Sequence, residues 1–342
     1  MRILGLAVLL FLATVVMAQD TDPASQVSAP PVQQRQSHPV PRPPQKPAQD
    51  DAQATDDQAA ATFKVNVKLV NVFTTVTDAN GAPIGGLDKK DFKVFEDGVP
   101  QKIAVFARES ALPLSVILAI DASLSTRKDL PLEIESAKRF SRAILRPQDG
   151  LSVMQFSEIV KEVVPFTNNL RQIDQGVSHI QTGAATALYD AIYLGSSALQ
   201  RRHGRKVMVL ITDGGDTMSQ TSYQEALRAA QISETILYAI IMVPIEASAG
   251  RDLGGEHALI QMTHDTGGKY YYATSIQQLD NAFRQISEEL RTQYLLAYYP
   301  PKKSYEDFRR IKVEVDPAAA NLPLGTEIHV AHRTGYYTSS IE

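Results

Sequence analysis

The 342-residue chain contains no cysteine. That excludes disulfides, thiol nucleophiles and thiolate zinc sites, and it excludes a lipid-modified cysteine behind the N-terminal apolar stretch. An exported chain of this kind takes its stability from core burial or from a bound ion. A charge excess is also missing: 34 Lys and Arg stand against 38 Asp and Glu, a formal net charge of −4. With no basic stripe and no aromatic platform, nucleic acid is excluded as a partner. The short cluster "QRRHGRK" (200–206) reads as a solvated helix end. Histidines are few and have no metal-binding spacing. No H-E-x-x-H occurs; His257 and His264 fall on a helix, and "HVAH" puts His329 and His332 in a strand, where residues three apart face opposite ways. They read as surface or packed side chains. Internal repeats are absent.

The chain has one long apolar run, "ILGLAVLLFLATVVM", following Arg2 and ending in "VMA" at 16–18. It falls short of the roughly 20 residues of a membrane span, and polar sequence follows at once. Residues 1–18 therefore read as a signal peptide. The mature chain is expected to carry no integral membrane span and to work outside the cytoplasm, in the periplasm or at the cell surface or released. Residues 19–62, rich in Pro, Gln and Ala, hold almost no large apolar side chain. Such a segment buries too little surface to offset its ordering entropy, which predicts a disordered linker.

At Phe63 the pattern changes. "FKVNVKLVNVFTTVTD" alternates apolar and polar residues, as a strand with one buried face does. "DANGAP" and "EDGVP" mark turns between further strands, and Asp78, Asn80 and Asp97 read as turn residues rather than calcium ligands. From about residue 113 strand and helix alternate. "LSVILAID", "KVMVLITD" and "TILYAIIMV" are continuous apolar runs, expected of strands buried on both faces. "LEIESAKRFSRAIL" carries an apolar stripe through Ile134, Ala137, Phe140, Ser141 and Ile144, predicting a helix at about 129–146. The fold class is α/β, a mostly parallel sheet with helices on both faces. From Gln293, "YLLAYYP", "RRIKVEVD" and "TEIHVAHRTGYY" return to β grammar. Neither flanking β segment makes a comfortable core alone, so the two are expected to share one small sandwich-like unit. The tyrosines of "KYYYAT" and "LLAYYP" are expected to fill cores.

The apolar run "LSVILAID" ends in Asp121, with Ser123 and Ser125 just beyond. "GAATALYD" places Thr186 on a loop entering a helix, and "ITDGGD" places Asp213 at the end of another buried strand. In an open α/β sheet ligands bind outside the carboxyl ends of the strands, where such loops converge. Two carboxylates and three hydroxyls form an all-oxygen set suited to a hard divalent ion: Mg²⁺, with Mn²⁺ or Ca²⁺ as alternatives. Two carboxylates only neutralise a dication, and hydroxyls quench it no further. The ion would stay electrophilic and take a carboxylate as its last ligand.

At these residues the sequence resembles the von Willebrand factor A domain family. "DASLS", Thr186 in "GAATALYD" and Asp213 in "ITDGGDT" match, in order, the family's metal-ion-dependent adhesion site. With "DFKVFEDGVPQ", "TGGKYYYATSIQQLDNAFRQISEELRTQYLLAYYP" and "RTGYY", the chain is also similar to the VWFA-related proteins known mostly from acidobacteria. The resemblance implies a Rossmann-like domain over 112–291, flanked by β segments 63–111 and 292–342 that pack together. It also implies that Asp121, Ser123, Ser125 and Thr186 lie in or near the first metal shell, with Asp213 often acting through water. A partner protein's acidic side chain would complete the coordination. Leu124, Tyr189, Asp216 and Thr217 lie close by in sequence, and each reads as loop or packing before it reads as rim.

Two rival readings remain. Strand-end aspartates serve as nucleophiles in haloacid-dehalogenase-like phosphatases, but Ser123 stands where their D-x-D-x-T motif needs a second acid. No enzyme activity is therefore expected. In the other reading the protein is a cell-envelope scaffold whose ion only stiffens the loops.

Overall fold

The computed structural model describes residues 69–108, 112–126, 128–243, 253–301, 307–318, 325 and 327–338. The expected signal peptide (1–18), the expected linker (19–62) and the first residues of the N-terminal β segment (63–68) lie outside the described residues.

The alternating stretch becomes β1 (Val70–Asp78), with Val70, Val72 and Val76 in the core. At its end Asp78 Oδ1 accepts from the backbone N–H of Asn80 and of Ala82, a turn made by an acceptor side chain. A short 3₁₀ turn leads to β2 (Phe92–Glu96), β3 (Val99–Gln101) and β4 (Ile103–Ala107). The β2–β3 hairpin turns through Asp97 and Gly98, both at positive φ (48° and 79°), the combination a tight two-residue hairpin requires.

The α/β core follows in chain order: β5 (Leu114–Asp121), α1 (Leu130–Ile144), β6 (Gly150–Phe156), β7 (Val160–Thr167), α2 (Leu170–Val177), α3 (Leu188–Gln200), β8 (Arg205–Thr212), α4 (Tyr223–Ser233), β9 (Thr235–Met242), α5 (Leu253–Thr266), β10 (Tyr270–Ala273) and α6 (Ile276–Thr292). Its six strands lie in the order β10-β9-β8-β5-β6-β7, parallel except for β7. Every residue of β5 is buried, because the sheet is covered on both faces. Val116, Leu118 and Ile120 pack with Ala137 and Phe140 of α1 and Phe283 and Ile286 of α6. Ile117 and Ala119 pack on the other side with Ile192 of α3, Ala226 of α4 and Leu259 of α5.

The chain ends in β11 (Tyr294–Tyr298), β12 (Phe308–Val315), β13 (Ile328–His332) and β14 (Gly335–Tyr337). These interleave with the N-terminal strands as two antiparallel sheets, β13-β1-β11-β4 and β14-β12-β2-β3. Val72, Val94, Leu296, Val313 and Tyr336 share the core between them, so the two flanking segments do build one small sandwich.

Tyr298 fills the sandwich core as expected, but three of the other tyrosines depart from expectation. Tyr270 and Tyr272 are 41% and 42% exposed, and Tyr299 is 60% exposed. β10 is an edge strand, and its alternation turns Tyr271 toward the α6 side and its two neighbours outward. His332 is packed rather than ligating: its Nε2 accepts from the Val313 backbone N–H at 3.1 Å.

Candidate metal centre at the strand ends

Strands β5 and β8 run parallel in neighbouring register, so Asp121 and Thr212 finish at the same edge of the sheet. Asp121 is fully buried. Its Oδ1 accepts from the Ser123 backbone N–H at 2.9 Å, and its Oδ2 accepts from Thr212 Oγ1 at 2.7 Å. The hydroxyls of Ser123 and Ser125 lie 2.9 Å apart. Thr126 closes the loop: its hydroxyl contacts the carbonyl oxygens of Asp121 (2.9 Å) and Ser123 (3.2 Å). The same residue's carbonyl accepts from Leu130 N–H at 3.0 Å, so α1 begins directly behind the loop.

Three loops are tied together here. Gly183 N–H donates to Ala122 O at 2.7 Å, joining the loop before α3 to the Asp121 loop. Gly183 has no room for a Cβ, which would collide with the Ser157 and Glu158 side chains. Thr186 N–H donates to Thr217 Oγ1 at 3.0 Å, while Thr186 O accepts from the backbone N–H groups of Thr217 (2.9 Å) and Met218 (3.0 Å). Asp216 Oδ1 accepts from Leu188 N–H (2.8 Å), supplying the cap that Ala187 has no side chain to provide. Asp216 and Thr217 thus hold loops together. Tyr189 packs edge-on against Tyr223, and Leu124 is 57% exposed. Asp213 follows β8 directly, and its Oδ1 accepts from Gly215 N–H at 3.3 Å.

The electrostatics are lopsided. Burial pushes the Asp121 carboxyl up to about 6; its bonds to Thr212 and Ser123 pull it down and the charge of Asp213 pushes it further up. Glu133, on the buried face of α1, is pushed up to about 8, first by burial and then by Asp121, Asp129 and Asp213. Burial and neighbouring carboxylates are what raise both groups. Among the described residues no three His, Asp or Glu side chains group closely enough to hold an ion by themselves, so any coordination here depends on hydroxyls as well as carboxylates.

The profile of the von Willebrand factor type A domain matches residues 115–285, half of the chain. The chain belongs to that family. A search of curated proteins returns no match. Among solved structures, the von Willebrand A domain is similar to BatB from Bacteroides thetaiotaomicron (18% identical, covering 52% of this chain and 100% of that chain, TM-score 0.43). It is similar to the vWF domain of the type V pili tip protein Mfa5 from Porphyromonas gingivalis (11% identical, 52% of this chain and 95% of that chain, TM-score 0.43). The chain as a whole is also similar to a von Willebrand factor type A protein from Catenulispora acidiphila (10% identical, 81% of this chain and 76% of that chain, TM-score 0.47).

Within this von Willebrand A domain, Asp121, Ser123 and Ser125 form one hydrogen-bonded group, and Thr186 and Asp213 sit on the two loops bonded to it or beside it. The donor set fits a hard divalent ion. Each oxygen of a carboxylate can accept more than once, so Asp121 keeps acceptor capacity after its two bonds. Among the described residues no Lys, Arg or His forms an ion pair with Asp121 or Asp213. Sequence reasoning missed Thr126, Thr212 and Glu133. The signal for Thr212 is a hydroxyl ending an apolar strand, and that for Glu133 is an acid four residues before Ala137 on a buried helix stripe.

Proposed function

We propose that this von Willebrand A domain binds one divalent cation, Mg²⁺ with Mn²⁺ or Ca²⁺ as substitutes, through Asp121, Ser123, Ser125, Thr186 and Asp213. In this reading the ion holds an acidic side chain of a partner protein, and the chain is an exported, non-enzymatic adhesion-type module. The observation that carries the reading is the fully buried Asp121 carboxyl, which has Asp213 acting on it and no ion-pair partner among the described residues. A buried carboxylate is stable only when paired, hydrogen-bonded or coordinated to metal. Here hydrogen bonds come from neutral donors only, which leaves the charge for an ion to meet.

When bound, the ion supplies the positive charge that attracts a carboxylate. The chain's own groups do the rest. Thr212 and the Ser123 N–H fix the Asp121 carboxylate, Thr126 fixes the loop that carries both serines, and Thr217 fixes the backbone of Thr186. Leu124 and Met218, each 57% exposed, offer a partner apolar contacts next to these polar groups. The proposed organisation is a signal peptide (1–18), a linker (19–62) and the A domain (112–291), with the sandwich built from 63–111 and 292–342. The chain is proposed to act in the periplasm or at the cell surface.

Immobilised full-length mature chain, incubated with envelope extract in Mg²⁺, tests this. Retained protein is expected to be released by EDTA and absent with Asp121→Ala, while far-UV circular dichroism stays unchanged. Retention that survives both treatments would overturn the proposal and favour the scaffold.

A further inference from the structure

Glu133 sits in the first turn of α1, and only 1% of its surface is exposed. Both of its carboxylate oxygens lack a hydrogen-bond partner among the described residues. Its helix face otherwise carries Leu130, Ser136, Ala137, Phe140, Ser141 and Ile144, so an apolar side chain here would meet no unsatisfied group. Other buried glutamates have dedicated partners. Glu96 takes Tyr298, Tyr336 and Arg309, and Glu289 takes Lys269, Tyr271 and Tyr238. Glu133 has three acidic groups instead. Asp121, Asp129 and Asp213 all act on it, adding to burial in holding its proton on to about pH 8. Its place is fixed by the metal loop itself, because Thr126 folds that loop back onto the start of α1 and Asp129 O accepts from Glu133 N–H at 2.9 Å.

An unpartnered buried acid among acids is costly unless something positive joins the group. The cation proposed at Asp121 and Asp213 would be that charge. Because no three acidic side chains among the described residues group closely enough to ligate one ion, Glu133 acts at one remove. We propose that Glu133 is an outer-sphere carboxylate of the ion site: it does not ligate the cation, but once ionised in the cation's presence its charge, little screened in the protein interior, tightens the hold on a dication and disfavours a monovalent one. Glu133 is thus a positioning residue, and the inference rests on the ion-binding reading above.

Mn²⁺ affinity of the full-length mature chain, measured by calorimetry for wild type, Asp121→Ala and Glu133→Gln, tests it. Glu133→Gln keeps the shape and removes the charge. It is expected to fold, to melt at or above the wild-type temperature in EDTA, and to bind Mn²⁺ roughly 10- to 100-fold more weakly. A smaller melting shift on adding Mn²⁺ should accompany the loss. A merely structural role would change the melting temperature and leave the Mn²⁺ affinity alone, and that result would overturn the inference. If wild type binds no Mn²⁺, both this inference and the proposed function fall; if only Asp121→Ala loses it, this one alone falls. Should Glu133→Gln not fold, Glu133→Met fills similar space without charge and is read by the same outcomes.

Discussion

Glu96 in the sandwich and Asp121 at the strand ends are buried alike, 2% and 0% exposed, yet they are treated in opposite ways. Glu96 is closed off: Arg309 pairs with it, and the hydroxyls of Tyr298 and Tyr336 donate to it at 2.7 and 3.0 Å. Among the described residues Asp121 is met by neutral donors, the backbone N–H and side chain of Ser123 and the Thr212 hydroxyl, with the charge of Asp213 working against it. One carboxylate is neutralised from within the chain and holds two sheets together. The other is left short of positive charge where three loops meet. Burial alone therefore does not set a candidate site apart; the difference between these two acids is the counter-charge.

The comparison can be broken most forcefully at Glu96. Arg309→Met strands a buried acid and is expected to cost about 3–5 kcal/mol in urea unfolding. A loss below about 1 kcal/mol would mean that Glu96 does not depend on Arg309 as its counter-charge.

A pH series comes next. Asp121 rises from 3.8 to about 6 and Glu133 from 4.5 to about 8, so between those values the folded chain holds more protons than the unfolded one. Stability of the metal-free protein should accordingly be greatest at low pH and fall as pH rises from about 4 to 8, with Asp121 alone contributing at most about 3 kcal/mol of that fall. Urea midpoints in EDTA at pH 5 and 8 check the slope. Saturating Mg²⁺ should flatten it, and Asp121→Asn should remove its lower half.

Smaller still is Thr126→Val, which removes the two contacts from its hydroxyl to the loop carbonyls. It should cost about 1–2 kcal/mol and weaken Mn²⁺ binding, both measurable on one sample. At the bottom stands Glu288→Ala, which breaks an exposed helical pair with Arg284 and should change stability by less than about 0.5 kcal/mol. That variant calibrates the others.

Much of this was legible in the chain itself. The unbroken apolar runs of β5, β8 and β9 announced strands covered on both faces, and the flanking alternations announced the sandwich that closes around Val72, Val94 and Leu296. Asp121, Ser123, Ser125, Thr186 and Asp213 were legible as candidates because each stands where an apolar strand or a small-residue loop has no structural need for oxygen. The supports were not. Thr212 meets Asp121 across 91 positions, a relation set by strand order rather than local pattern. The exposure of Tyr270 and Tyr272 depends on β10 lying at the sheet edge, which no local alternation reveals. Glu133 lay on the predicted stripe, but only the fold shows which other acids share its surroundings.

The central claim is that the strand-end carboxylates hold a dication with a position open to a partner. Anomalous scattering from a crystal grown in Mn²⁺ measures this directly. The account predicts one strong peak among the oxygens of Asp121, Ser123 and Ser125, with at least one coordination position facing solvent. No peak there, or an ion enclosed wholly by protein atoms, would contradict it.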